Sequence, residues 1–399
     1  MRTFATSARP STRATRATRA ASAIVAATVS RAHARELLRA VHRMGAATHT
    51  IAPFVEHSPN FVDGRFHSAE PARRPRARVL VTALAGAIRA RGRGRVVGTI
   101  PVVPARPPER PGALAVTWYG HATTVVEVDG VRFLLDPVFG GRASPSLHVG
   151  PRRMHPVPGD IEAIPTLDAV LISHDHYDHL DAPTIRALER RQRPRYIVPL
   201  GVDAHLLAWG VPASRITALD WRAHTEVSGI RVTCTEARHN SGRGFVDSQT
   251  LWAGWAVRGP QHSAYFAGDS GPSQRFAAIG ADLGPFDLTI LPVGAYDPLW
   301  PDIHLNPEEA VAVHQDVSPA TAAERSVLLP VHWATFNLAL HWWAEPIRRT
   351  RRAAEDAGVR VVCPRVGDRV DLSDGDLDAV AARFQDPWWD ACCAEDDHD

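Results

Sequence analysis

Between residues 113 and 372 the sequence predicts a layered α/β fold. Three observations predict it. Short apolar runs bounded by turn residues recur along this stretch, and helical patterns fall between them. The residues richest in chemistry sit where those runs stop.

The runs 114–118, 124–128 and 131–135 read as strands, the last two joined by Asp129-Gly130, a tight hairpin signal. A short apolar strand is expected at 169–173. Further strands are expected at 195–199, 230–237, 251–257, 263–267, 288–292 and 326–330. Helices are expected at 183–191, 202–209, 274–279, 307–315 and 346–357. Pro307 sits at a first helical turn, where its missing N–H costs nothing, and Asn306 before it is a cap residue.

The remainder of the 399-residue chain has a different character. Residues 1–50 are rich in Ala, Arg, Thr and Ser, which suits a targeting segment or a disordered basic extension. The apolar run from Ala21 is short and soft, which favours the extension. Residues 32–44 can form one basic amphipathic helix with Leu37, Leu38, Val41 and Met44 on one side, a face able to touch an acidic membrane or to pack on the domain. Residues 51–112 carry many Pro and Arg and read as an irregular arm wrapped on the domain. The stretch 373–399 reads as an acidic tail, with Trp388 and Trp389 as docking points.

Residues 1–112 hold 20 Arg and 5 acidic residues, whereas the whole chain is only +2. All 45 basic residues are Arg; a GC-rich genome accounts for that, although the planar guanidinium also suits phosphate. The spacing of Cys234, Cys363, Cys392 and Cys393 suggests neither a zinc knuckle nor a disulfide framework, so a reducing, cytoplasmic setting is expected. No apolar stretch reaches the roughly 18 residues a spanning helix needs. Contact with a membrane would then be peripheral.

The strongest signal is His174-Asp175-His176-Tyr177-Asp178-His179, placed just after a strand that ends at Ser173. Such density of His and Asp is hard to explain by folding. Alternate side chains splay as the chain turns, so His174 and His176 can grip one ion while Asp178 and His179 face another. Imidazole and carboxylate together suit zinc, and also manganese or iron. More ligands must come from elsewhere. His239, Asp269 and His332 each lie just past an expected strand end, where strands fix positions and loops leave access.

This order of motifs resembles the metallo-β-lactamase superfamily over roughly residues 113–370. The resemblance implies an αββα sandwich with two metal ions at one edge. By it His174, His176 and His239 would bind the first ion, Asp178, His179 and His332 the second, and Asp269 would bridge them. A closer resemblance rests on the segments 58–66, 118–123, 292–296, 304–310 and 332–336. These are similar to the branch containing N-acylphosphatidylethanolamine-hydrolysing phospholipase D and its bacterial relatives.

The resemblance implies a metal-dependent hydrolase in which a metal-bridged hydroxide attacks a phosphodiester. His121, His304 and Tyr296 are candidates to contact the substrate oxygen or protonate a leaving group, with Asp178 and Asp269 at the reacting centre. Leu299, Trp300, Trp333, Phe336, Leu338, Trp342 and Trp343 either pack the core or line an apolar cleft for an acyl chain. Three other functions stay open: a lactonase or other small-ester hydrolase, a metal-dependent nuclease, and a non-catalytic metal sensor. The basic N-terminal region could attract nucleic acid, but no further nucleic-acid module is evident.

Overall fold

Successive residues of the central strands fall into different apolar clusters. Phe133, Leu135, Leu171 and Ile197 belong to one, whereas Leu134, Val170, Ile172, Tyr196 and Val198 belong to another. A strand presents alternate side chains to opposite faces. A sheet apolar on both faces must therefore be covered on both.

The computed structural model describes residues 34–70, 96–244, 246–319, 325–373 and 375–393. The expected extension up to residue 33, the arm between 71 and 95, and the tail from 394 lie outside the described residues. The chain divides into two units, Met1–Arg43 and Met44–Asp399. In the first, residues 34–43 are helical and leave Leu37, Leu38 and Val41 exposed.

The second unit opens with helix α1 (Thr48–Val55) and a small hairpin of β1 (Phe61–Val62) and β2 (Arg65–Phe66). Ile51, Val55 and Phe66 bury against Leu200, Leu251 and Trp252. The Ser58 hydroxyl donates to Asp220 at 2.6 Å, and the Asn60 amide donates to the other oxygen of that carboxylate at 2.9 Å. These bonds give an irregular segment defined partners on the domain.

A seven-stranded sheet runs in the order β15-β3-β4-β5-β6-β7-β8. Its strands are β3 (Leu114–Trp118), β4 (Thr124–Val128), β5 (Val131–Leu135), β6 (Ala169–Leu171), β7 (Arg195–Pro199), β8 (Ile216–Leu219) and β15 (Arg369–Asp371). A six-stranded sheet runs in the order β14-β13-β12-β11-β10-β9. It consists of β9 (His224–Val227), β10 (Ile230–Thr235), β11 (Gly254–Arg258), β12 (Ser263–Phe266), β13 (Leu288–Pro292) and β14 (Val327–Val331). The hairpin signal at Asp129 does join β4 to β5, with Val128 opposite Val131.

The sheets face each other across Val116, Trp118, Phe133, Val232, Cys234 and Trp255. Helices α2 (Ala182–Arg191) and α3 (Val202–Ala208) cover the outer face of the seven-stranded sheet through Ile185, Leu188 and Leu206. Helices α4 (Arg275–Leu283), α5 (Pro307–Val317) and α6 (Glu345–Ala357) contribute Phe276, Val311 and Ile347 to the other cluster. The result is the αββα sandwich. Asn306 closes a capping box on α5: it accepts from the Glu309 N–H, and its own N–H donates to the Glu309 carboxylate, both at 2.9 Å. None of the described helices is long and apolar enough to cross a membrane.

Helix α7 (Leu377–Arg383) and the following segment carry Trp388 and Trp389 into the core. Trp333 stacks between Trp118 and Trp388, with centroids 5.5 and 5.2 Å away. Trp333 and Trp343 are buried in the core, Phe336 is buried against His121 and Arg153, and Leu299, Trp300, Leu338 and Trp342 remain half-exposed.

Candidate metal centre

Strand ends supply the site. His121 follows β3, the His174–His179 loop follows β6, and His239, Asp269 and His332 follow β10, β12 and β14. Parallel neighbours end at the same level, so β12, β13 and β14 deliver their loops to one edge. The turns that present these groups are tight. His121, Asp136 and His332 hold φ of 51°, 39° and 68°, a left-handed conformation that ordinary residues adopt only under constraint. Gly268 is needed where it stands. At its φ of 60° an added Cβ would lie 2.6 Å from the Ala253 carbonyl and 2.7 Å from the Ser173 side chain.

Four overlapping donor groups form among the described residues, two of them through Asp269. His174, His176 and His239 bring donor atoms within 4.8 Å of one another, and so do His121, Asp178, His179 and His332. Asp269 lies between these two. Its Oδ2 is 3.1 Å from His332 Nε2, 3.2 Å from His179 Nε2 and 3.8 Å from His239 Nε2. His304 approaches the same oxygen at 3.8 Å through Nδ1.

The donor chemistry fits a divalent cation. His174 Nε2 lies 2.9 Å from His176 Nδ1, and His179 Nε2 lies 3.2 Å from His332 Nε2. Imidazole nitrogens that converge so closely need a cation or a proton between them. Asp269 Oδ1 and His304 Nδ1 are buried with no hydrogen-bond partner among the described residues, an arrangement that is costly unless something else satisfies them.

Protonation tells the same story. Burial opposes charge at His332, yet Asp269 and Asp178 outweigh it and lift this imidazole to about 9. Burial likewise opposes charge at His179, and the carboxylates of Asp269, Asp178 and Asp136 hold it well above the usual range. Asp178 and Asp269 sit well below the usual carboxylate range despite burial, because His179 and its neighbours favour their charge. Burial, reinforced by neighbouring imidazoles, pushes His174 well below the usual value, and burial does the same at His239 against the opposing pull of Asp269. The carboxylates thus favour positive charge at His179 and His332, and a metal ion would compete with a proton there.

Several groups were not singled out from sequence. Asp136, just past β5, accepts from His179 Nδ1 at 2.7 Å and from the Ser173 N–H at 2.6 Å. It fixes the His179 tautomer so that Nε2 faces the centre. The Ile303 carbonyl does the same for His239, accepting from Nδ1 at 2.8 Å. The His121 N–H donates to the Thr335 hydroxyl at 2.6 Å. A strand ending in an Asp before Pro137 was the available signal for the first; the other two depend on distant loops meeting.

The candidates for substrate contact differ in placement. The His121 side chain is fully buried and bonds Asp178 Oδ2 at 2.9 Å, within the same donor group. His304 keeps 13% of its side chain exposed beside Asp269. The described contacts of Tyr296 run elsewhere. Its hydroxyl donates to Glu345 at 2.7 Å and accepts from Arg349 at 3.1 Å, and its ring stacks on His341.

A sheet sandwich with a buried His/Asp cluster at one edge defines a metal-dependent hydrolase of the metallo-β-lactamase superfamily. Comparison with known proteins agrees. The family described as Beta-lactamase superfamily domain matches residues 131–333. An uncharacterized protein of Mycobacterium tuberculosis is 47% identical over 378 residues, covering 92% of this chain and 98% of that protein. N-acyl-phosphatidylethanolamine-hydrolyzing phospholipase D 1 of Caenorhabditis elegans is 38% identical over 246 residues, 58% of this chain and 67% of the relative. The mitochondrial Saccharomyces cerevisiae enzyme of that name is 30% identical over 63% of this chain and 54% of its own. The structure of an isothiocyanate hydrolase from Delia radicum gut bacteria shares the fold with a TM-score of 0.52 and 21% identity, over 65% of this chain and all 100% of the other. The chain belongs to the branch of this superfamily that resembles the N-acylphosphatidylethanolamine-hydrolysing phospholipases D.

Proposed function

We propose that the chain is a binuclear phosphodiesterase of phospholipase D type. It would cut an N-acyl phospholipid-like substrate on the head-group side. The observation that carries the binuclear reading is Asp269 Oδ2, within 3.8 Å of nitrogens from both histidine groups. His174, His176 and His239 would hold one ion, Asp178, His179 and His332 the other, and Asp269 both. Zinc suits this donor set. Bound there, the ions would supply an activated water and take up charge developing on the substrate.

The chain's own residues do the remainder. Asp136 and the Ile303 carbonyl orient His179 and His239. His121 steadies Asp178. His304, which keeps 13% of its side chain exposed beside Asp269, is placed to contact the substrate oxygen. Tyr296 ties the loop leading to His304 onto α6 through Glu345. The half-exposed Trp300 and Trp342 offer apolar area for an acyl chain. The names of the two phospholipase relatives support the lipid class. Peripheral contact with a membrane follows from that class, and the exposed Leu37, Leu38 and Val41 face supports it.

The test combines elemental analysis with assays on bis(p-nitrophenyl) phosphate, a lactone and a fluorescent N-acyl phospholipid. Two ions per chain and cleavage of both phosphodiesters are expected. Turnover of the lactone alone would replace this reading with a lactonase. Active protein carrying only trace metal would end it.

A further inference from the structure

Arg243 belongs to none of the ligand groups, yet its side chain is buried to within 6% of complete enclosure. A guanidinium is rarely taken out of water unless its donors are used. Here they are used on backbone. Nη1 donates to the Asp175 carbonyl and to the Leu180 carbonyl, each at 2.7 Å, and Nε donates to the Met44 carbonyl at 3.1 Å. Asp175 and Leu180 bracket the loop that holds His176, Asp178 and His179. One guanidinium therefore ties the start and end of the ligand loop to each other and to Met44. The guanidinium also lies over Tyr177, 4.2 Å from the ring centroid, and over Trp209 at 5.1 Å. The Tyr177 hydroxyl closes the circle by donating to the Arg243 carbonyl at 2.6 Å.

The segment after Met44 reaches the same loop a second time. The Ala46 N–H donates to His205 Nδ1 at 2.9 Å, so the ring proton sits on Nε2, which faces Asp175 Oδ2 at 3.2 Å. The other Asp175 oxygen accepts from the Gly242 N–H at 2.6 Å. Farther along, the Ser68 hydroxyl donates to the His239 carbonyl at 3.2 Å. Gly45, at φ 89°, leaves just enough room, since a side chain there would overlap the His205 ring.

We infer that Arg243 is a positioning residue for the metal centre, through which the segment Met44–Ala46 sets the geometry of the His174–His179 loop. The inference rests on reading His174 and His176 as ligands. Lys cannot reproduce the clamp: one ammonium can stand in for Nη1 at the Asp175 and Leu180 carbonyls, but it has no second nitrogen for the Met44 carbonyl and no plane to lie over Tyr177.

The full-length protein and its Arg243→Lys, Gly45→Ala and His176→Ala variants are stripped of metal and checked for folding by circular dichroism. Each is then titrated with Co2+ alone while the visible absorption of the bound ion is followed. Arg243→Lys and Gly45→Ala are expected to bind Co2+ about 10–100-fold more weakly and to shift that absorption, which a purely structural role would leave unmoved. A folded Arg243→Lys protein with wild-type affinity and absorption overturns the inference. If Arg243→Lys does not fold, the same result in Gly45→Ala overturns it. His176→Ala separates the two ideas: wild-type Co2+ binding in that variant sinks the ligand reading itself, whereas weakened binding there with unchanged Arg243→Lys sinks only the clamp.

Discussion

Asp136→Ala tests whether the carboxylate behind His179 serves the metal centre. The Asp136 side chain is fully buried and accepts three hydrogen bonds, from His179 Nδ1, the Ser173 N–H and the Ser173 hydroxyl. Alanine leaves the Ser173 N–H without its acceptor in a buried site, while the hydroxyl still has His174 Nδ1 at 2.9 Å. At about 1–3 kcal/mol for the stranded donor, the fold should lose about 1–3 kcal/mol. Loss of the carboxylate also frees the His179 ring to turn and lowers its basicity, which should weaken metal binding about 10–100-fold. Asp136→Asn separates the two effects. Its oxygen can still accept from His179, but its amide must then face the Ser173 N–H, donor against donor, so stability falls while metal affinity suffers less. Chelator competition for Zn2+ on the folded variants measures the second effect, and urea denaturation the first. A folded Asp136→Ala protein with metal affinity within about twofold of wild type would refute the argument, because the expected loss is at least about tenfold.

Asp269→Ala should reduce metal content at both histidine groups together, read by elemental analysis after dialysis; loss confined to one group would show that Asp269 does not bridge. Gly268→Ala forces a Cβ against the Ala253 carbonyl and Ser173, so its hydrolytic rate should fall at least about tenfold if the displacement of Asp269 loses even about 1.4 kcal/mol of transition-state stabilisation. Trp333→Ala, in the buried Trp118–Trp388 stack, should lower stability by about 3–5 kcal/mol, whereas Trp342→Ala should slow a long-chain ester more than a short one; equal losses on the two esters would make Trp342 structural. Burial pushes His314 down to about 4, so it is neutral when folded yet gains a proton near ~6.5 once unfolded. Its contribution carries no penalty above the unfolded value, erodes as pH falls through this window, and is fully lost below the folded value. The drop in melting temperature from neutral to mildly acid pH should shrink in His314→Gln, and an unchanged drop would remove His314 as the cause.

Much of the αββα framework was legible because its strands carry dense apolar runs. β3, β4, β5, β7 and β13 begin and end at the residues their patterns predict. β8 and β9 escaped notice. Ile216–Leu219 and His224–Val227 lie at sheet edges with half-exposed or alternating burial, and neither has a strong apolar run. The strand expected to continue to Ser173 stops at Leu171, where Asp136 draws the Ser173 backbone and hydroxyl out of the ladder. Within the site, the candidate ligands drew notice because His and Asp are dense there and recur past strand ends. Asp136, Thr335 and Arg243 did not, since their roles arise from contacts 43, 214 and 68 residues distant in sequence. Trp333 and Trp342 look alike in a sequence, and only packing separates them.

The candidate ligands are drawn from both sheets. His174, His176 and His179 hang from the seven-stranded one; His239, Asp269 and His332 hang from the six-stranded one. An ion gripped by both is a rivet across the seam of the sandwich, and it binds only when the two halves are closed. At a free metal concentration about 100 times the dissociation constant, one such rivet adds about 2.7 kcal/mol to the folded state. The seam would therefore breathe more in a metal-starved cell, and proteases would find the chain open more often. Scarcity of metal would thin the population of this protein as well as idle each copy of it.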